Sequence, residues 1–168
     1  MIRRAASYDI DQVEKCIVEL LEYEQEHGAY TAWRRNIYPT RKTVENSLAE
    51  GSLYVMEQNG EIYACIIASQ NQPPKFDNIE WKYPARPDEV FVINLLCVRP
   101  SKARGGIGKS MVHFIIEEAK SRNCKTVRLD TGVQNMPARA LYTNIGFELA
   151  GSYNNYLFYE FNISRLLL

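Results

Sequence analysis

The segment from Phe91 to Met111, FVINLLCVRPSKARGGIGKSM, constrains the fold of this chain most strongly. Its nearly continuous apolar run, Phe91 to Val98, predicts a buried strand. Arg99-Pro100 ends the run, and a basic, glycine-rich turn follows from Ser101 to Gly108. Apolar residues at helical spacing then predict a helix to about Arg122. Glycines let the backbone approach a ligand closely, and N–H groups at a helix start attract anions, so the turn is typical of a phosphate-binding site.

Hydrophobic periodicity and turn residues predict seven strands and four helices along the chain. The predicted strands are Ile2–Ala5, Leu53–Met56, Ile62–Ser69, Val90–Val98, Lys125–Thr131, Phe147–Ser152 and Tyr156–Phe161. The predicted helices run from an Asp9 cap to Gly28, from Pro39-Thr40 to Gly51, from the glycine turn to about Arg122, and from Asn135 to Ile145. Gln12 is expected to complete a capping box with Asp9, and Asn59-Gly60 predicts a hairpin. The order β-α-α-β-β-β-α-β-α-β-β favours a mixed α/β sheet with helices on its faces.

Two segments have no periodic pattern. The stretch Asn71–Asp88 holds four prolines and three aromatic residues. A loop of this length is usually functional or mobile, so we expect a lid or a substrate wall, with a proline-stiffened surface loop as the alternative. The three leucines at the C-terminal end, Leu166 to Leu168, could pack on the core or on a second subunit.

Composition excludes several classes of function. Lysine plus arginine equals aspartate plus glutamate, with 20 residues each, so we expect no nucleic-acid partner. No apolar run approaches the ~18 residues of a membrane span, and the first residues lack the apolar region of a secretory signal. Four scattered cysteines and two histidines form no metal-binding motif, and reduced, buried thiols in a cytoplasmic protein are expected.

Residues 103–110, ARGGIGKS, nearly spell the Walker A loop of nucleoside triphosphatases, with Ala103 in place of the first glycine. A nucleotide hydrolase is therefore an alternative. Three features disfavour it: the loop follows three predicted strands rather than the first, Arg128 interrupts the later strand VRLD, and the spacing of Gly106 and Gly108 fits another family better.

That family is the GNAT superfamily of N-acetyltransferases, whose acetyl-CoA-binding segment this strand-turn-helix resembles. Val98 and Pro100 match the strand end of the family pattern, and Gly106 and Gly108 match its two small positions. Ala103 departs from the pattern, because the family prefers Gln or Arg there. A second segment resembles the family's other hallmark, N-x-x-A-x-x-L-Y-x-x-x-G-F, from Asn135 to Phe147.

The resemblance covers roughly residues 90–150 and implies a single acyltransferase domain, residues 1–168. Its sheet would be mixed, largely antiparallel, of six to seven strands, with helices on both faces and strands 4 and 5 splayed. It also implies that acetyl-CoA is the co-substrate, that no metal is needed, and that the acceptor is an amine of a small molecule or peptide. Members of the family suggest a homodimer.

The resemblance also implies roles for individual residues. Tyr142 matches the general acid that protonates the leaving thiolate, with a half-buried helix tyrosine as the alternative. Asn135 would bond the coenzyme arm, and it could also cap its helix. The residues expected to contact the coenzyme through the turn and the strand end are Leu96, Cys97, Val98, Arg104, Gly105, Gly106, Ile107, Gly108, Lys109 and Ser110. A nucleophilic role for Cys97 is disfavoured, because no motif-matched His or Asp accompanies it.

The attacking amine must lose a proton, and the sequence leaves the base open. Glu89, Asp130 and Glu80 are candidates, whereas Asn94, inside the central strand, is an amide and no base. His113 is expected on an exposed helix face, and His27 near a helix end. Candidate substrate contacts are Asn94, Asp130 and four aromatic residues of the irregular segments, Trp33, Tyr38, Trp81 and Tyr83, whose alternative is packing under loops. The alternative to an enzyme is a non-catalytic acyl-CoA-binding module of the same fold.

Overall fold

A computed structural model describes residues 1–103 and 105–164 of the chain. The strands are β1 (Ile2–Arg4), β2 (Leu53–Gln58), β3 (Glu61–Ser69), β4 (Val90–Val98), β5 (Thr126–Gly132), β6 (Glu148–Tyr153) and β7 (Tyr156–Asn162). The α-helices are α1 (Ile10–His27), α2 (Arg41–Ala49), α3 (Ile107–Ser121) and α4 (Met136–Ile145). The predicted order of elements is confirmed, and β4 has the predicted bounds.

The seven strands form one mixed sheet in the order β1-β2-β3-β4-β5-β7-β6. The neighbours β1/β2, β2/β3, β5/β7 and β6/β7 are antiparallel, whereas β4 and β5 are parallel. This is the predicted mixed, largely antiparallel sheet. The described residues cluster into two compact units, Met1–Ala68 with Leu95–Met111, and Ser69–Asn94 with the residues from Val112 onward. Both β4 and α3 run through the two units.

The first unit buries one face of α1 against β2 and β3. Val13, Ile17 and Leu20 of α1 are at most 5% exposed. They form one apolar cluster with Val44 of α2 and with residues of β2, β3 and the end of β4. Gly28 ends α1 with a φ of 100° and donates its N–H to Glu24 O at 2.8 Å, as predicted. The two predicted hairpin residues, Asn59 and Gly60, both have positive φ, which is the conformation of a type I′ turn.

The predicted capping box at the start of α1 is wrong. The side chain of Asp9 forms no cap hydrogen bond to α1. It accepts hydrogen bonds from Ala6 N at 2.7 Å and from Arg3 Nη1 at 2.8 Å. Gln12 instead contacts the β2–β3 hairpin, where its Oε1 accepts from Ile62 N at 2.9 Å. The guanidinium group of Arg3, on β1, binds the Asp9 carboxylate, which therefore does not cap α1.

The second unit packs different structures on the two faces of β5 and β7. On one face, Phe147 lies 5.3 Å from Phe161 between ring centroids, next to α4. On the other face, Phe158 packs with Phe76 and Ile79 of the segment between β3 and β4. That segment contains two short 3-10 turns, Pro74–Asn78 and Pro87–Glu89. No described helix is both long enough and apolar enough to span a bilayer.

Candidate active site

The glycine turn has the backbone geometry of an anion-binding helix start. Gly106 has a φ of 72°, in the left-handed region that favours glycine, and its carbonyl accepts the hydrogen bond of Ser110 N at 3.0 Å. Helix geometry therefore leaves the N–H groups of Ile107, Gly108 and Lys109 without an acceptor inside α3. A Cβ placed on Gly106 would meet no atom within 4 Å, so the space beside the turn is open. The turn fits a diphosphate group.

The turn is fastened to α1 by the residues that precede it. Glu19 accepts hydrogen bonds from Ser101 N at 3.1 Å and from Ser101 Oγ at 2.9 Å. Burial alone would raise the pKa of Glu19, but the hydrogen bonds from Ser101 and the charge and hydrogen bond of Arg99 together outweigh it and hold this pKa below its usual value. Arg99 pairs with the same carboxylate, Nη2 to Oε1, at 3.2 Å. The turn is thus held rigidly at its N-terminal end.

Most of the nearby cations are already paired. Arg99 Nη1 lies 3.1 Å from Glu61 Oε1, and Lys102 Nζ lies 3.7 Å from Glu61 Oε2. Lys109, on the first turn of α3, is exposed and forms no ion pair with a described residue. The predicted contact residue Arg104 lies outside the described residues. Lys109 and the backbone N–H groups therefore supply the positive potential that the described part of the turn offers.

The end of β4 presents backbone rather than reactive side chains. Cys97 is fully buried, and its thiol donates to Cys16 O at 3.5 Å. Contact with the Cys65 side chain and burial both raise the pKa of the Cys97 thiol well above its usual value. This thiol stays protonated, in agreement with the sequence-based argument against a nucleophile. Leu96 and Val98 are half-buried on either side of it.

Strands β4 and β5 pair over only part of their lengths. Their parallel register begins at Val90 opposite Thr126 and ends at Ile93 opposite Leu129. Both strands continue beyond it, β4 to Val98 and β5 to Gly132, so the predicted splay is confirmed. The first residues past the paired part are Asn94, which is exposed, and Asp130, which is half-buried.

Tyr142 lies on the buried face of α4. It is 5% exposed, and its ring contacts Phe147, with ring centroids 5.4 Å apart. Burial, together with the negative charge of Asp130, raises the pKa of Tyr142 above its usual value. The phenol is therefore protonated at neutral pH, which is the form a general acid needs.

Asn135 caps α4, as the sequence allowed. Its Oδ1 accepts a hydrogen bond from Ala138 N at 3.2 Å. Pro137 occupies the first turn, where a missing N–H costs nothing, and Gly146 ends the helix in the left-handed conformation. The cap does not use the Nδ2 group of Asn135, so the predicted contact with the coenzyme arm stays a prediction.

The three candidate bases lie in different surroundings. Glu89 precedes β4 and is 9% exposed; its carboxylate accepts from Lys125 Nζ at 2.9 Å and from Arg86 N at 3.0 Å. These bonds, led by that from Lys125, lower the pKa of Glu89, which disfavours it as a base. Glu80 is exposed on the long loop. Asp130 lies at the splay, with Oδ2 2.6 Å from the Nζ atom of Lys75.

The four predicted aromatic substrate contacts are placed differently. In the first unit, Trp33 packs partly against the apolar cluster and Tyr38 is 44% exposed. In the second unit, Trp81 packs on Phe76 and Phe158, and its Nε1 donates to Phe76 O at 3.1 Å. Tyr83 donates its hydroxyl to Glu148, 2.9 Å from Oε1. Packing under the loop accounts for Trp81, and the substrate roles stay predictions.

The long loop is held at two buried charges that sequence reasoning missed. Glu160 is fully buried on β7 and accepts from Lys82 N at 2.9 Å and from Tyr83 N at 3.0 Å. Arg128, opposite it on β5, donates to Gln72 Oε1 and to Tyr83 O, and its Cζ lies 4.3 Å from the Trp81 ring centroid. These bonds hold this part of the loop against the sheet, and its role as a lid or substrate wall stays a prediction. The only signal for these two buried charges in the sequence was the presence of charged residues inside the strands VRLD and YLFYEF.

The two histidines are placed as predicted. His113 is exposed on α3, and the Nδ1 atom of His27 lies 2.9 Å from Tyr23 O at the exposed end of α1. Within residues 1–103 and 105–164, no group of three or more His, Cys, Asp or Glu side chains could hold a metal ion. All four cysteines are free and buried.

Comparison with known proteins identifies the family. The model of the acetyltransferase (GNAT) family matches residues 14–147. The chain is 33% identical over 69 residues to the [ribosomal protein bS18]-alanine N-acetyltransferase of Escherichia coli K12, a match that covers 41% of this chain and 46% of that enzyme. The chain therefore spans less than half of the length of this relative.

Two solved structures share the fold across nearly the whole chain. A GNAT family acetyltransferase from Streptococcus agalactiae 2603 superposes with a TM-score of 0.84 at 18% identity, covering 96% of this chain and 94% of that one. The PaiA N-acetyltransferase of Thermoplasma acidophilum, solved in complex with coenzyme A, superposes with a TM-score of 0.75 at 16% identity, covering 96% and 98%. With the family model matching well over half of its length, the chain belongs to the GNAT acetyltransferase family.

Proposed function

We propose that this protein is an N-acetyltransferase that transfers the acetyl group of acetyl-CoA to a primary amine of a small molecule, an amino acid or a peptide. The glycine turn carries the proposal: in a chain of the GNAT family, Gly106 opens α3 with its first N–H groups unpartnered inside the helix. The coenzyme A complex of the Thermoplasma relative supports the choice of donor.

Acetyl-CoA supplies an acetyl group activated as a thioester. We assign its diphosphate to the backbone N–H groups from Gly105 to Lys109, with charge from the Lys109 side chain, because these groups converge at a helix start. The backbone of Leu96, Cys97 and Val98 would pair with the pantetheine arm, as the family resemblance implies. Asn135 would contact the arm through the amide nitrogen that its cap leaves unused.

Tyr142 would act as the general acid. Attack of a neutral amine on the thioester carbonyl forms the C–N bond and expels a thiolate, which takes a proton. The phenol carries its proton at neutral pH, as a general acid must, and its place in the family motif supports this role; the raised pKa makes it a weaker acid than an exposed tyrosine. The amine nitrogen gives up its own proton to a base or a water chain. The bonds to Glu89 disfavour that residue, and Asp130 and Glu80 stay candidates.

The acceptor class follows from the relatives only in outline. The Escherichia coli relative is named for the alanine of a ribosomal protein, which supports an amine of a peptide or protein. Because the match spans 46% of that enzyme, small amines and amino acids belong in the same proposal. The alternative is an acyl-CoA-binding module without catalysis.

Calorimetric titration with acetyl-CoA and with ATP-Mg²⁺ tests the proposed donor. We expect acetyl-CoA to bind in preference, with one molecule per chain. Preferential binding of ATP-Mg²⁺ would overturn the proposal in favour of a nucleotide hydrolase. Binding of acetyl-CoA without release of free thiol, across amino acids, polyamines, aminoglycosides and peptides, would favour the binding module.

A further inference from the structure

Lys75 places a primary ammonium group against a carboxylate and an aromatic face. Its Nζ lies 2.6 Å from Asp130 Oδ2 and 4.8 Å from the ring centroid of Tyr156. A carboxylate and a π face are the two kinds of group that recognise an alkylammonium ion. Lys75 itself is 55 residues away in the chain from Asp130, on a 3-10 turn of the long loop.

Asp130 and Tyr156 are held by the sheet and not by Lys75. In the regular β5–β7 register, Asp130 stands opposite Phe158 and Gly132 stands opposite Tyr156. Residues two apart on a strand share a face, so Asp130, Gly132 and Tyr156 line the same face. A Cβ at Gly132 would meet no atom within 4 Å, so the surface beside the carboxylate is open.

The loop does not need the Lys75 ion pair to stay in place. Its neighbour Phe76 is 1% exposed and packs on Phe158 and Trp81. The buried carboxylate of Glu160 binds the loop further along through two backbone N–H groups. The Lys75 side chain is 40% exposed and that of Asp130 is 13% exposed, so solvent reaches the pair from the lysine side.

We propose that Asp130 and Tyr156 form a seat for the ammonium group of the acceptor, and that Lys75 occupies this seat in the free protein. This inference rests on the proposed function for its acceptor, an alkyl primary amine. The charge of Asp130 also acts on the buried phenol of Tyr142, which relates the seat electrostatically to the proposed general acid. An incoming amine displaces Lys75, and the lysine thereby competes with every weakly bound acceptor.

Butylammonium binding, followed by backbone amide chemical shifts of β5 and β7 in the absence of acetyl-CoA, tests the seat. Removing the competitor in Lys75→Met should lower the dissociation constant about tenfold, because a site that is mostly occupied binds in proportion to its free fraction. Lys75→Arg keeps a cation in the seat and should bind as the wild type does. Asp130→Asn should abolish binding, and neutral butanol should not bind.

Lys82→Met is the matched control. It removes one positive charge from the same loop, and its side chain is 57% exposed beside Glu148 rather than Asp130. Its dissociation constant for butylammonium should equal that of the wild type. Lys75→Gln provides a second variant if the methionine substitution impairs folding, which thermal melting reports.

Unchanged or weaker butylammonium binding in Lys75→Met and Lys75→Gln would overturn the inference and make Lys75 a fastener of the loop. The same holds if Lys82→Met tightens binding equally, since net charge would then explain the effect. If the proposed function is wrong but the seat is right, butylammonium will bind as described and no amine will be acetylated. If amines are acetylated but butylammonium binding does not tighten in the Lys75 variants, the proposed function is retained and this inference is overturned.

Discussion

At the scale of single residues, the proposed chemistry depends on a phenol that keeps its proton. Tyr142 is enclosed by α4 and the rings of Phe147 and Tyr159, and Asp130 adds a negative charge. Both surroundings favour the neutral phenol. The sequence motif pointed to this tyrosine, and the folded chain shows that its phenol is buried and that its pKa is raised above the usual value of about 10.

Tyr142→Phe should lower kcat about 100-fold, because general acid catalysis contributes at least this factor. The dissociation constant for acetyl-CoA should not change, since the ring remains. Steady-state thiol release and calorimetry measure the two quantities. Tyr159→Phe is the matched control, because it removes a hydroxyl from a neighbouring buried ring on β7, and it should retain full kcat. Full activity in Tyr142→Phe would show that Tyr142 is not the general acid.

The raised pKa of Tyr142 also predicts the pH dependence of kcat. A raised pKa leaves the phenol protonated at every pH below its usual value of about 10, so deprotonation of Tyr142 should cause no loss of rate between pH 7 and 9. The rate should instead rise over this range, because a larger fraction of the alkylamine becomes neutral. The pH profile of kcat measures this. A rate that falls from pH 7 to pH 9 would indicate an acid with a lowered pKa.

At the scale of elements, sequence patterns correctly predicted the structures that depend on neighbouring residues in the chain. Strand β4, the hairpin at Asn59-Gly60, the C-terminal end of α1 and both ends of α4 depend on residues near each other in the chain, and they formed as predicted. The cap that was wrongly predicted at Asp9 and the ion pair between Lys75 and Asp130, which was not predicted, both depend on partners in other elements of the fold. Hydrophobic periodicity carries no signal for such pairs.

The glycine turn makes a prediction for its own element. Gly106→Ala forces a Cβ into the left-handed region, and the shifted N–H groups should weaken acetyl-CoA binding about tenfold, since the strain is roughly 1–2 kcal/mol. Gly28→Ala is the matched control, because Gly28 also has positive φ and open surroundings, yet it lies at the end of α1. It should lower the melting temperature and leave the acetyl-CoA dissociation constant unchanged. Equal affinities in all three proteins would contradict the assignment of the diphosphate to this turn.

The buried charges beneath the long loop make a second prediction at this scale. Glu160→Gln leaves one acceptor oxygen for two backbone N–H groups and leaves Arg128 without a nearby buried negative charge. The free energy of unfolding should fall by about 2 kcal/mol, which is typical of losing a hydrogen bond to a buried charge. Urea denaturation measures it. Adding Arg128→Met should restore part of the loss, and a purely additive double variant would show that the two charges are not coupled.

At the scale of the whole molecule, the fold was predictable because two sequence motifs match one known plan, with a single strand, β5, between them. The family model spans residues 14–147, and solved relatives at 18% and 16% identity keep the same architecture. The acceptor was not predictable in the same way, because one fold serves many substrates and the contacts that choose among them come from loops. In our proposal, the segment that carries Lys75 is one of these loops.

The most direct test of the central claim is to measure, in one reaction, the coenzyme A released and the acetylated amine formed, using acetyl-CoA labelled in its acetyl group. We expect equal amounts of the two products for at least one primary amine, with no label on the protein itself. Release of coenzyme A without acetylated amine, or no release with any amine although acetyl-CoA binds, would contradict it.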